Sequence, residues 1–117
     1  MFSRLDTVIL RVGDLAAAQQ WYAAHLDLNA IYEDPGQGLA VLGLEAGGSL
    51  TLWEVPPGDV VGPSSTYPIF GVADAETAHA HLTARGVAVG PVTEAPGVKY
   101  FRFTDLDGNP FEACQVL

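Results

Sequence analysis

The chain has 117 residues, 49% of them apolar and only 16% charged, which suits one domain with a real core. Five basic against fourteen acidic side chains give a formal net charge of -9, the wrong sign for attracting a phosphate backbone, so nucleic acid is not an expected partner. Cys114, the only cysteine, excludes an internal disulfide and a zinc site built on several thiolates. No apolar run reaches membrane length, and Met1 to Asp6 carries neither the basic nor the apolar region of an export signal, so no membrane partner and a cytoplasmic location are expected. The acidity is spread along the chain, which reads first as a solvated surface and second as an attraction for cationic ligands.

Val8, Leu10 and Val12 alternate with Thr7, Ile9 and Arg11, the period of a first strand. Asp14 is placed as the N-cap of a helix from Leu15 to about His25, with Leu15, Ala18, Tyr22 and Leu26 as its apolar stripe. Leu28 to Glu33, Leu39 to Leu44 and Ser49 to Val55 follow as three strands separated by turn residues, an antiparallel meander. Residues 56–65, dense in Pro, Gly and Ser, read as a linker. Then the pattern begins again: Tyr67 to Val72 as a strand, Asp74 capping a helix that stops at Gly86, and strands over Val87 to Thr93, Val98 to Phe103 and Pro110 to Val116. Asp105-Leu-Asp-Gly-Asn109 between the last two is a hairpin turn, and a capped turn explains it better than a calcium loop.

Val12 and Val72, Asp14 and Asp74, Ala18 and Ala78, and Gly48 and Gly108 each lie sixty residues apart, so one β-α-β-β-β unit occurs twice. The expected fold is α+β: two tandem βαβββ modules, about residues 3–55 and 66–117 of a single domain, forming a curved mixed-sheet cup with helices on the convex face. Units this small need to associate, and a homodimer is expected, with the swapped and unswapped arrangements both open.

This doubled unit, with Val12-Gly-Asp-Leu-Ala-Ala-Ala-Gln-Gln-Trp-Tyr22 in front and Asp105-Leu-Asp-Gly-Asn-Pro-Phe-Glu112 behind, resembles the vicinal oxygen chelate superfamily, which contains glyoxalase I, bleomycin-resistance proteins and extradiol dioxygenases. In metal-dependent relatives each unit gives the ion one residue from its first strand and one from its last, typically His and Glu. Carried over position by position, the resemblance assigns those places to Thr7, Leu52, Tyr67 and Glu112, so only one ligand type survives. A threonine, a leucine, a phenol and one carboxylate are a poor set for zinc, nickel or iron(II), and no metal or other cofactor is expected. A shift of two residues along the strand would bring Glu54 in place of Leu52, still without a histidine.

Strand parity puts Thr7, Ile9 and Arg11, Leu50, Leu52 and Glu54, Tyr67 and Ile69, and Pro110, Glu112 and Cys114 opposite the helix-packing face, lining a mostly apolar cavity with a few polar groups. Trp53, of opposite parity, is expected to pack against helices. Hairpin counting sets Arg102 across from Glu112, so Glu112 is either a structural salt-bridge partner or a ligand-binding group. The residues expected to bind ligand are Thr7, Ile9, Arg11, Leu52, Glu54, Tyr67, Arg102 and Glu112.

The leading expectation is a protein that binds a small organic ligand, cationic or antibiotic-like, without a transition metal. Its rival is a metal-dependent lyase, isomerase or dioxygenase of the same superfamily, in which Glu112 ligates an ion or acts as general base. A third is a relic domain that only dimerises. Whether the protein is an enzyme stays open at this point.

Overall fold

The computed structural model describes residues 1–59, 61 and 64–117. The expected linker at 56–65 therefore includes Val60, Gly62 and Pro63, which lie outside the described residues. The chain divides into two compact units, Met1–Val61 and Gly62–Leu117.

Unit 1 contains β1 (Thr7–Val12), α1 (Leu15–Leu26), β2 (Ala30–Asp34), a single 3₁₀ turn (Pro35–Gln37), β3 (Leu39–Gly43) and β4 (Ser49–Glu54). The sheet order is β1-β4-β3-β2, with β1 parallel to β4 and the other pairs antiparallel. Asp14 starts α1 in an extended conformation, and its carboxylate accepts a hydrogen bond from Ala17 N at 2.9 Å. Leu15, Ala18 and Tyr22 of the expected stripe are buried and Leu26 is half-buried, and α1 packs against β3 and β4. Of the adjacent aromatics, Tyr22 is the core residue, whereas Trp21 stacks on His25 with ring centroids 4.9 Å apart.

Unit 2 repeats the plan with β5 (Ile69–Gly71), α2 (Ala75–Ala84), β6 (Thr93–Ala95), β7 (Val98–Thr104) and β8 (Pro110–Val116), in the order β5-β8-β7-β6. Its core is aromatic: Phe103 and Phe111 stack at 5.2 Å, and Phe70 stacks on Phe111 at 5.4 Å. One expected strand is displaced and another shortened. Residues 87–92 are not a strand, Val89 makes one isolated bridge to Phe103, and β6 shares only Thr93 with the expected span. Tyr67 and Pro68 precede β5, because a proline cannot donate to a ladder; the Pro68 carbonyl instead accepts from Glu112 N.

The internal repeat extends to hydrogen bonds. Asp74 caps α2 as Asp14 caps α1, accepting from Thr77 N at 2.8 Å. Each helix has a second capping partner at the end of its own unit's last strand: Glu54 Oε2 accepts from Leu15 N at 2.7 Å, and Gln115 Oε1 accepts from Ala75 N at 2.9 Å. Those two partners are sixty-one residues apart, not sixty. The ladders agree, since Ile9 pairs with Thr51 while Ile69 pairs with Glu112.

The extra residue is Asn109. Gly48 and Gly108 both take a left-handed φ, +78° and +82°, but Ser49 begins β4 directly whereas Asn109 intervenes before Pro110 begins β8. Asn109 is buried and held by Asp105, whose Oδ1 accepts from Asp107 N and Asn109 N and whose Oδ2 accepts from Asn109 Nδ2, all at 2.9 Å. The Asp105 carboxylate thus organises a turn and is saturated by N–H groups.

Replacing Asp105 by alanine strips partners from the buried Asn109 and is expected to cost about 2–4 kcal/mol, measured by urea unfolding. Asp74 supplies a pH test, because the backbone hydrogen bond from Thr77 holds its carboxyl below the ordinary aspartate value. A depressed folded pKa stabilises above the unfolded pKa and is lost as pH falls through the folded one. Asp74→Ala should therefore be less stable than the parent near neutral pH, and the gap should close in acid.

Candidate functional site

Each sheet packs its helix on one face and leaves the other open. On the open face of unit 1, Thr7 Oγ1 and Thr51 Oγ1 are 2.7 Å apart in a hydroxyl–hydroxyl hydrogen bond, and Thr7 Oγ1 also donates to the Ser49 carbonyl at 3.3 Å. Two residues beyond Thr51 on β4 and four beyond Thr7 on β1, Arg11 and Trp53 pair, and Arg11 lies over the Trp53 indole with its guanidinium carbon 5.4 Å from the ring centroid. Ile9, between these pairs, is 61% exposed, and Trp53 is 36% exposed. The face thus carries an aromatic platform, a cation, two hydroxyls and exposed aliphatic surface.

This arrangement corrects the parity expected for β4. Leu50 and Leu52 are paired with Val8 and Leu10, and both are fully buried on the helix side. Glu54 also turns to the helix side, where it caps Leu15 N. Trp53, expected against the helices, stands on the open face beside Arg11. The cause is Asn109: a constant offset of sixty carries Glu112 onto Leu52, but the structural equivalent of Glu112 is Thr51, and one residue of slip exchanges the faces of a strand. Thr51 and Trp53 were therefore missed. The bulky Leu50/Leu52 pair alternating with Thr51 was the available signal, since the more apolar set belongs in the core.

On the open face of unit 2, Arg102 and Glu112 are cross-strand partners, as hairpin counting expected, with Nε 3.9 Å from Oε1. Arg102 Nη2 donates to the Tyr67 hydroxyl at 2.8 Å, and its guanidinium carbon lies 4.9 Å from the Tyr67 ring centroid. Tyr67, Arg102 and Glu112 are thereby brought together. Ile69, paired with Glu112, is 56% exposed, and the half-buried Cys114 lies across from Tyr100.

A cavity of about 600 Å³ lies elsewhere, between the first turn of α1 and the end of β4, lined by Asp14, Leu15, Gln19, Glu54, Pro56 and Asp59 among others. It collects three carboxylates and belongs to the helix side of the unit 1 sheet, away from Ile9 and Trp53.

With the register corrected, the positions the resemblance assigns to a metal are Thr7 and Thr51 in unit 1 and Tyr67 and Glu112 in unit 2. In unit 1 the two hydroxyls bond to each other. In unit 2 the Arg102 guanidinium hydrogen-bonds the phenol and faces the carboxylate at 3.9 Å, so a positive charge already stands beside Glu112. This donor set does not fit a divalent transition metal. Among the described residues no group of three His, Cys, Asp or Glu side chains is placed to hold one. Two of the three histidines bond to backbone carbonyls: His25 Nδ1 meets the Trp21 carbonyl at 3.0 Å, and His79 Nε2 meets the Gly90 carbonyl at 2.9 Å.

Solved structures share this architecture. TnmS3, an antibiotic binding protein from Streptomyces sp. CB03234, is 23% identical, with 99% of this chain and 98% of that one covered and a TM-score of 0.83. A glyoxylase/bleomycin resistance protein/dioxygenase domain from Frankia sp. EAN1pec is 26% identical over 100% and 94% of the two chains, with a TM-score of 0.81. TioX from Micromonospora sp. ML1 is 21% identical over 98% and 100%, with a TM-score of 0.77. Among curated proteins none matches. The family model described as Glyoxalase/Bleomycin resistance protein/Dioxygenase superfamily matches residues 4–113. With that match covering both units except the end of β8, the chain belongs to the glyoxalase/bleomycin resistance protein/dioxygenase superfamily.

Proposed function

We propose that this protein binds a small, flat organic ligand of antibiotic-like character on its open sheet faces, without a transition metal. The observation that carries the reading is the closure of the metal positions by the protein itself, hydroxyl to hydroxyl at Thr7 and Thr51 and through Arg102 at Tyr67 and Glu112. What the faces still offer is apolar and aromatic surface: Ile9, Trp53 and Ile69 are all exposed. That is the make-up of a small-molecule site, a largely apolar lining with a few placed polar groups. The likeness to TnmS3, an antibiotic binding protein, supports the ligand class.

Thr7, Ile9 and Arg11 form the unit 1 part of this reading, with Trp53 taking the place expected of Leu52. Tyr67, Arg102 and Glu112 form the unit 2 part, and Glu112 serves there as the partner that holds Arg102. Glu54, as a helix cap, leaves the ligand-binding set. The protein acts as a cytoplasmic homodimer, a state supported by further exposed apolar residues, Ile31 and Tyr32, that a second copy would cover. No helix among the described residues is long and apolar enough to cross a membrane.

Thermal-shift titration tests this directly. A panel of polycyclic aromatic antibiotics should contain compounds that raise the Tm by several degrees, while zinc, nickel, manganese and iron(II) at micromolar concentration should leave it unchanged. Trp53→Ala should weaken the ligands found by about tenfold or more, with thermal melts of the unliganded variant establishing that it is folded. A metal-induced shift of several degrees, with no organic ligand binding, would overturn the proposal in favour of a metalloenzyme.

A further inference from the structure

We infer that Arg102 is a pre-positioned oxygen receptor, so that the ligand of unit 2 is an aromatic carboxylate and not the cation that the net charge of -9 suggests. The inference rests on the binding reading above and names the ligand's chemistry. Three features of the open face lead to it.

The first is which partner of the ion pair faces solvent. The Arg102 side chain is 63% exposed and that of Glu112 only 12%, so an arriving ligand meets the guanidinium. A cation would have to reach a carboxylate that lies behind a like charge.

The second is the donor count. A guanidinium carries five N–H bonds in a planar fork. One Nη2 hydrogen goes to the Tyr67 hydroxyl, and Nε faces Glu112 at 3.9 Å, beyond hydrogen-bond length. The Nη1 pair and the second Nη2 hydrogen remain to be directed outward, the edge that takes a carboxylate bidentately.

The third is that the fork is held from two sides. The Tyr67 ring under the guanidinium and the Tyr67 hydroxyl at its edge restrict the rotation of a long side chain, and Glu112 restrains it from the neighbouring strand. Ordering of this kind, made before the ligand arrives, lowers the entropy cost of binding. The apolar half of the ligand finds Ile69, beside Glu112 on the adjacent strand and 56% exposed.

The experiment uses the full chain and three isosteric probes: 2-naphthoate, neutral 2-naphthamide and 2-naphthylmethylammonium, titrated by isothermal calorimetry. The naphthoate should bind about tenfold or more tightly than the ammonium. Arg102→Gln should erase that preference. Arg102→Lys, which keeps the charge but not the fork, should recover only part of it, because an ammonium cannot pair bidentately. Tyr67→Phe should weaken naphthoate about threefold through the loss of one anchoring bond, and thermal melts of each variant establish that it is folded.

Equal or tighter binding of the ammonium overturns the inference, as does unchanged naphthoate affinity in folded Arg102→Gln. If no naphthyl probe binds while the antibiotic panel still yields Trp53-dependent ligands, the carboxylate inference falls and the binding reading stands. If neither panel yields a ligand, both fall.

Discussion

The tie between the end of the last strand and the first turn of the helix fixes most of what each unit can do. Glu54 reaches back to Leu15 N, and Gln115 to Ala75 N, each supplementing an aspartate already at the N-cap. A helix begins with N–H groups that have no partner in the helix itself, and these side chains satisfy them. The strand pays for this with rotational freedom: once Glu54 or Gln115 points to the helix, alternation decides every other side chain on its strand. Thr51 and Trp53 are thereby sent to the open face in unit 1, and Glu112 and Cys114 in unit 2.

The two open faces solve one electrostatic problem differently. Where relatives hold a cation between protein donors, a buried carboxylate or lone pair needs a substitute partner. Unit 1 removes the charge, leaving two threonine hydroxyls that satisfy each other. Unit 2 keeps the carboxylate and supplies a covalently attached cation from β7, a strand that lies between the first and last strands of its unit in sequence. An attached guanidinium needs no loading and cannot be chelated away. It also cannot act as the strong Lewis acid that a divalent ion would be.

Much of the fold was legible in the sequence because local signals agreed with one another. Asp14 and Asp74 preceded alternating-to-helical changes of period, Gly48 and Gly108 occupied equivalent left-handed turns, and the hairpin around Asp105 specified the Arg102–Glu112 register. The site was less legible, and the failure has one physical origin. Asn109 adds a residue at a place where the chain is already irregular, so the repeat remains visible on either side while the parity of the last strand changes. Leu52 was consequently placed on the open face and Trp53 in the core, each the reverse of the structure. The strand expected over Val87 to Thr93 was misplaced for a different reason: Gly90 and Pro91 interrupt it, and its backbone makes one isolated bridge, at Val89, before β6 begins at Thr93.

Because N-cap aspartates and side chains of each unit's last strand take leading N–H groups of both helices, the backbone contributes no ready anion-binding cradle at Leu15, Ala17, Ala75 or Thr77. In the binding reading proposed above, recognition is left to side chains of the open faces. A point substitution at Arg11, Trp53, Tyr67 or Arg102 would then change what is bound without disturbing the hydrogen-bonded frame beneath it. Ligand preference in such a scaffold is free to drift quickly among descendants that remain nearly superimposable, which is how a fold comes to be shared far more widely than any one of its ligands.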